Sequence, residues 1–134
     1  MPLQLKRVYD PPEATDGERL LVDRLWPRGL RQEAAQLHGW LKDLAPSPEL
    51  RRWFAHDPQR WPEFQARYRA ELRAPEKEGL IRDLAQKASR GRVTLLFAAR
   101  DPERNNAVVL KEVIEQAQQE MARPADTAPL PGKD

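Results

Sequence analysis

The chain predicts an α/β fold: a single compact domain in which a small, mostly parallel sheet of three or more strands is flanked by about five helices. Three observations carry this expectation. Short apolar runs at 3–9 (LQLKRVY), 19–23 (RLLVD) and 93–99 (VTLLFAA) read as strands, the last being the most apolar stretch in the chain. Segments with apolar residues every three or four positions separate and follow them. Strands that are apolar on successive residues suit the middle of a sheet covered on both faces.

Leu3 and Leu5 alternate with polar neighbours, so the first strand is half-buried. DPPEATDG at 10–17 is turn chemistry, with paired prolines and an Asp-Gly step. That joint is short for a helical crossover. The first two strands are therefore either antiparallel neighbours or separated, with the first at an edge. After the second strand, Leu37, Trp40, Leu41 and Leu44 predict a helix over 32–44, interrupted only by Gly39. Ser47 followed by Pro48 is a helix start, a hydroxyl cap and a proline whose missing N–H costs nothing there. Asp57-Pro58 ends that helix and caps the next, where Trp61, Phe64, Tyr68 and Leu72 make one stripe. Pro75 opens a helix that places Leu80, Ile81, Leu84 and Ala88 inward and stops at Gly91. Asp101-Pro102 is expected to start the last helix, reaching about residue 121. The domain then covers 1–121, and the proline-rich remainder, 122–134, is expected to be disordered.

Composition narrows the function. There is no cysteine, which removes disulfides, thiol nucleophiles and zinc–thiolate sites, and His38 and His56 are the only imidazoles. No metal centre and no cofactor are expected. No apolar run approaches the ~20 residues that cross a bilayer, and the N-terminus lacks the layout of a secretion signal. The expected location is the cytoplasm, with no membrane partner. Net charge is +2, and arginine supplies 17 of the 23 cations. Arginine suits bidentate contact with anions. Walker, GxGxxG, HExxH and GxSxG patterns are all missing.

The polar residues that could do chemistry follow the strands directly. In open parallel sheets ligands bind beyond the carboxyl ends of the strands. The second strand ends at Asp23-Arg24 and runs into LWPRG; the third ends at Arg100-Asp101 and runs into PERNNA. Parallel neighbours would bring Asp23, Arg24, Trp26, Arg28, Arg100, Asn105 and Asn106 to one rim, a setting for a phosphate, carboxylate or nucleic-acid backbone. Each residue also has a plainer role: Asp23 and Arg24 in pairs that close the sheet edge, Trp26 as a lid aromatic, the two asparagines as helix caps. Arg51 and Arg52 read as a solvated helix face. His56, an imidazole near neutral pH, is the best general acid–base candidate if it faces the rim.

Four blocks, KRVYDPPEATDGERLLVDRLWPRG, APSPELRRWFAHDPQRW, FQARYRAEL and VTLLFAARDPERNNAVVL, resemble the YeaO-like branch of the family called domain of unknown function 488. The resemblance spans roughly residues 4–116 and implies a compact α/β protein without an established activity. The family's recurrent polar positions match Tyr9, Asp10, Asp16, Asp23, Arg24, Trp26 and Arg28, then Ser47 and Tyr68, then Asn105. The resemblance implies a histidine after that asparagine, where this chain has Asn106. Chemistry that needed this imidazole would be lost here or moved to His56.

The leading expectation is a binding site for a small anion, phosphate or nucleotide, formed by Arg24, Arg28, Trp26, Tyr9, Arg100, Asn105 and Asn106. The alternatives are an enzyme with Asp23 or His56 as general acid–base, a nucleic-acid-binding module, and an interaction protein whose rim arginines are matched by its own carboxylates.

Overall fold

The structure, a computed structural model, describes residues 3–122. Four strands form one all-parallel sheet: β1 (Leu3–Arg7), β2 (Glu18–Leu21), β3 (Gly39–Trp40) and β4 (Val93–Phe97), in the spatial order β1-β4-β2-β3. β4, the most apolar run, is buried at every residue between β1 and β2. The first strand lies at an edge and does not pair with the second. Residues 8–17 return along the sheet with only a short 3₁₀ turn (Ala14–Asp16) and no α-helix. Lys6 holds that return, donating to the Pro11 carbonyl (2.8 Å), Glu13 (3.1 Å) and Asp16 (3.0 Å). Gly17 closes it with φ +64°, where a Cβ would run into the Arg92 carbonyl.

The helices are α1 (Gln32–Ala35), α2 (Pro48–Phe54), α3 (Trp61–Leu72), α4 (Pro75–Arg90) and α5 (Asn106–Ala122). α5 packs against both α3 and α4, and it also crosses β1 and β4. The main core joins Leu20, Val22, Val93, Leu95 and Phe97 of the sheet region to Phe54, Phe64, Tyr68, Leu84, Leu110 and Ile114 of the helices. On the opposite face Val8, Leu21 and Leu96 are covered by Trp26, Leu30 and Leu37 from the long β2–β3 connection and by Trp40 of β3. Both faces are covered, one by helices and the other chiefly by this connection.

Ser47 caps α2, its hydroxyl accepting from Leu50 N–H at 3.1 Å. Asp57 caps a short 3₁₀ turn (Pro58–Arg60) that leads straight into α3. α4 begins at Pro75 and ends before Gly91.

Two expectations are corrected. The helix over 32–44 stops at Ala35, and the chain turns at Gln36 in the left-handed region (φ 48°). The buried Arg19 takes the carbonyls of Ala35 (2.8 Å) and Gln36 (3.2 Å), which a continuing helix would need. Gly39–Trp40 then pairs with Leu20–Leu21 as a fourth strand, and Lys42–Leu44 forms a 3₁₀ turn. The last helix starts at Asn106, not after Asp101. Asp101 instead accepts from Glu103 N–H (2.9 Å) and Arg104 N–H (3.2 Å) within a turn, and Asn105 caps the helix by accepting from Val108 N–H (3.1 Å). Residues 123–134, most of the expected tail, lie outside the described residues.

Candidate functional site

β2 and β4 run parallel with Leu21 opposite Leu96, so their carboxyl ends share one side of the sheet. Beyond them lies a cleft of about 690 Å³. Its walls come from the segment after β2 (Asp23–Arg28), Ala98 and Ala99 after β4, Asn105 and Asn106 at the start of α5, and the C-terminal half of α2 with Ala55 and His56. Tyr9, Pro46 and Phe64 complete the lining.

Asp23 is held from two sides. Its Oδ2 accepts from Ala98 N–H at 2.9 Å and its Oδ1 accepts from the Asn106 amide at 3.1 Å. The same amide donates to the Val22 carbonyl at 2.9 Å, which fixes Asn106 between strand end and helix start. Burial pushes the Asp23 carboxyl above its ordinary value, opposed by those two hydrogen bonds and by the positive charge of His56 and Arg51. Behind it, burial raises the Tyr68 hydroxyl well above the usual phenol range, helped by the Asp23 charge. The hydroxyl donates to the Leu44 carbonyl.

The arginines differ in tether. Arg24 donates to the carbonyls of Pro46 (3.3 Å) and Ala45 (3.4 Å). Arg28, Arg51 and Arg52 are exposed at the cleft. Among the described residues none of these four guanidinium groups lies within salt-bridge distance of a carboxylate. The expectation that internal carboxylates consume the rim arginines is therefore not met.

Trp26 lines the cleft while its ring packs edge-on against Trp40 at 5.4 Å, and its indole N–H donates to the Leu30 carbonyl at 2.7 Å. Tyr9 donates its hydroxyl to the Arg28 carbonyl at 2.8 Å and carries the Arg7 guanidinium 5.0 Å from its ring centre. Arg7 also donates to the carbonyls of Ala98 and Ala99, both at 3.0 Å, stiffening that wall. Asn105 is buried, its amide donating to the Asp101 carbonyl at 2.8 Å, so its side chain is taken up by capping.

His56 stands in the left-handed region at φ 58°, directly after Ala55 at φ 47°. Two successive residues there are costly for L side chains and are found where surrounding structure enforces them. The kink ends α2 and delivers His56 to the cleft. His38 is remote from it, its Nδ1 accepting from Arg19 N–H at 2.9 Å beside β3.

The structure thus brings together Asp23, Arg24, Trp26, Arg28, Tyr9, His56, Asn105 and Asn106. Arg100 is not brought in. It is exposed one residue past Ala99, where the chain swings into the Asp101 turn, and it does not line the cleft. Arg51 and Arg52, expected on a solvated helix face, are exposed and line the cleft as well. No local pattern signals this, because His56 lies past the left-handed kink that ends α2 and only the docking of the helix decides which side meets the cleft.

A family model described as "Inactive DUF488-N3 subclade" matches residues 2–130. The chain belongs to this DUF488 family. Among relatives, the uncharacterised protein YeaO of Escherichia coli K12 is 44% identical over 112 residues, covering 84% of this chain and 96% of that protein. An uncharacterised protein of Mycobacterium tuberculosis H37Rv is 38% identical over 112 residues, 84% of this chain and 92% of its own. No solved structure matches. Within this DUF488 chain the cleft is built almost entirely from the two blocks that surround the strand ends and from the end of α2.

Proposed function

We propose that the cleft binds a small anion, a phosphate or phosphate ester, and that this DUF488 protein works by binding rather than by catalysis. One observation carries the reading: Arg24, Arg28, Arg51 and Arg52 converge on one cleft with no carboxylate in salt-bridge distance among the described residues. Guanidinium groups left without an internal counter-ion favour an external one, and their fork matches phosphate oxygens. The volume of about 690 Å³ lies within the range of small-molecule sites. The cleft also occupies the strand-end position where open parallel sheets hold ligands.

The test is a calorimetric titration with inorganic phosphate and with a nucleoside monophosphate, comparing the wild-type protein with Arg28→Ala. Loss of one charge-assisted contact is expected to weaken binding about tenfold or more. Equal affinity in the variant, or no binding by the wild type, would overturn the proposal. Binding of a single-stranded oligonucleotide that falls steeply with salt would turn the reading toward nucleic acid.

A second reading, acid–base catalysis by Asp23 and His56, has one observation in its favour: both residues line the cleft. The family's description as inactive and Asn106 at the position of the expected histidine count against it. Turnover of a phosphate ester by the wild type that disappears in His56→Asn would support it.

A further inference from the structure

A carboxylate is out of place in a site that collects anions. Asp23 is the one carboxylate lining the cleft among the described residues, and its charge opposes that of a bound phosphate. Its environment shows what it can still do. An ionised carboxylate offers about four lone-pair positions. The protein fills one on each oxygen, from Ala98 N–H at 2.9 Å and from Asn106 at 3.1 Å. These two bonds come from the strand end and the helix start, so they fix the orientation of the carboxylate. The remaining acceptor capacity belongs to a residue that borders the cleft.

The partner for that capacity is a hydrogen-bond donor on the ligand. An ammonium group is disfavoured, because four guanidinium groups around the cleft outweigh the single carboxylate. A neutral hydroxyl has no such penalty. We infer, building on the anion-binding reading above, that the cleft takes a hydroxyl-bearing phosphate monoester, with the phosphate against the arginines and a hydroxyl donating to Asp23. Sugar phosphates and ribonucleotides share this chemistry. Asp23 is then the residue that separates such esters from bare phosphate, and it does so as a hydrogen-bond acceptor, not as a base.

The experiment is a set of titrations of the full chain with inorganic phosphate, ribose phosphate, adenosine monophosphate and the dideoxy analogue of adenosine monophosphate. In the wild type, adenosine monophosphate is expected to bind about tenfold tighter than its dideoxy analogue, the size of a lost bond to a charged acceptor. In Asp23→Asn that ratio is expected to fall to within about twofold, and phosphate is expected to bind more tightly because a like charge is gone. Affinity for ribose phosphate equal to that for adenosine monophosphate marks a sugar phosphate as the class; tighter binding of the nucleotide marks a ribonucleotide. A wild-type ratio near one with phosphate still bound overturns this inference and leaves the anion reading standing. A ratio that persists in Asp23→Asn also overturns it. Binding of neither phosphate nor any ester overturns both. Should the variant fail to fold, the wild-type ratio alone decides.

Discussion

Asn106 donates its amide to Asp23 at 3.1 Å, tying the first residue of α5 to the end of β2 across the floor of the cleft. The same amide reaches the Val22 carbonyl at 2.9 Å. The position where the family resemblance implies an imidazole therefore does structural work in this chain: it orients the one acidic group of the site.

Asn106→Ala removes a donor shared by the Val22 carbonyl and Asp23. The variant is expected to be less stable by about 1–2 kcal/mol, the usual cost of leaving such groups without a donor. Its Asp23 carboxyl is expected to titrate still higher than in the wild type, because one of the bonds that hold it down is gone. Urea unfolding and a carboxyl-detected NMR titration measure the two effects.

The raised Asp23 carboxyl has a stability consequence. Between the unfolded and folded values the native state binds more protons than the unfolded chain, so stability falls as pH rises through that window. Asp16 acts in the opposite sense. Burial alone would raise its carboxyl, but hydrogen bonds from Glu13 N–H, Lys6 and Arg19 hold it below its ordinary value. Its contribution is present above the unfolded value and is lost as pH falls through the folded one. Asp23→Asn should abolish the first dependence and leave the second, as read from unfolding midpoints across the acidic range.

Arg51 and Arg52 are exposed and form no salt bridge among the described residues. Replacing both with alanine should change stability by no more than about 0.5 kcal/mol. Phosphate affinity should nevertheless drop by at least about tenfold. Unchanged affinity would place the anion elsewhere in the cleft.

Arg19 is buried with Asp16 at 2.6 Å and also donates to the Ala35 and Gln36 carbonyls. Arg19→Leu leaves a buried carboxylate and two turn carbonyls without this donor. The expected cost is about 3–5 kcal/mol in chemical denaturation. The β2–β3 connection that carries Trp26 should loosen with it, detectable as faster amide exchange at Gln36 to Leu41.

Much of the fold was legible because its signals are local. Ser47-Pro48 and Asp57-Pro58 mark helix starts through side-chain caps, Pro75 marks one through its missing N–H, and Gly91 follows the end of α4 in extended backbone. The three long strands stood out by their apolar residues, alternating in β1 and consecutive in β2 and β4. The failures share a cause. Residues 32–44 have helical spacing, yet Arg19 claims two carbonyls that the helix needs, and no local pattern reveals a donor 16 and 17 positions away. Asp101-Pro102 has the form of a helix start, but the cap that acts is Asn105, chosen where α5 must meet the ends of β2 and β4.

The candidate site divides in the same way. Strand ends followed at once by Asp23, Arg24, Trp26 and Arg28, and by Asn105 and Asn106, were readable as a polar rim because a parallel sheet exposes its carboxyl ends together. Arg51 and Arg52 were not, because a helix shows its faces only when it is docked. The residue order of this chain determines its strands, most of its helix boundaries, its lack of thiol chemistry and its excess of arginine. The tertiary structure alone decided that β4 separates β1 from β2, that residues 39–40 form a strand, that Arg100 stays outside the cleft, and that four guanidinium groups and one carboxylate share it. Caps and apolar runs act between neighbours along the chain, whereas sheet order and the meeting of charges depend on which surfaces are buried together.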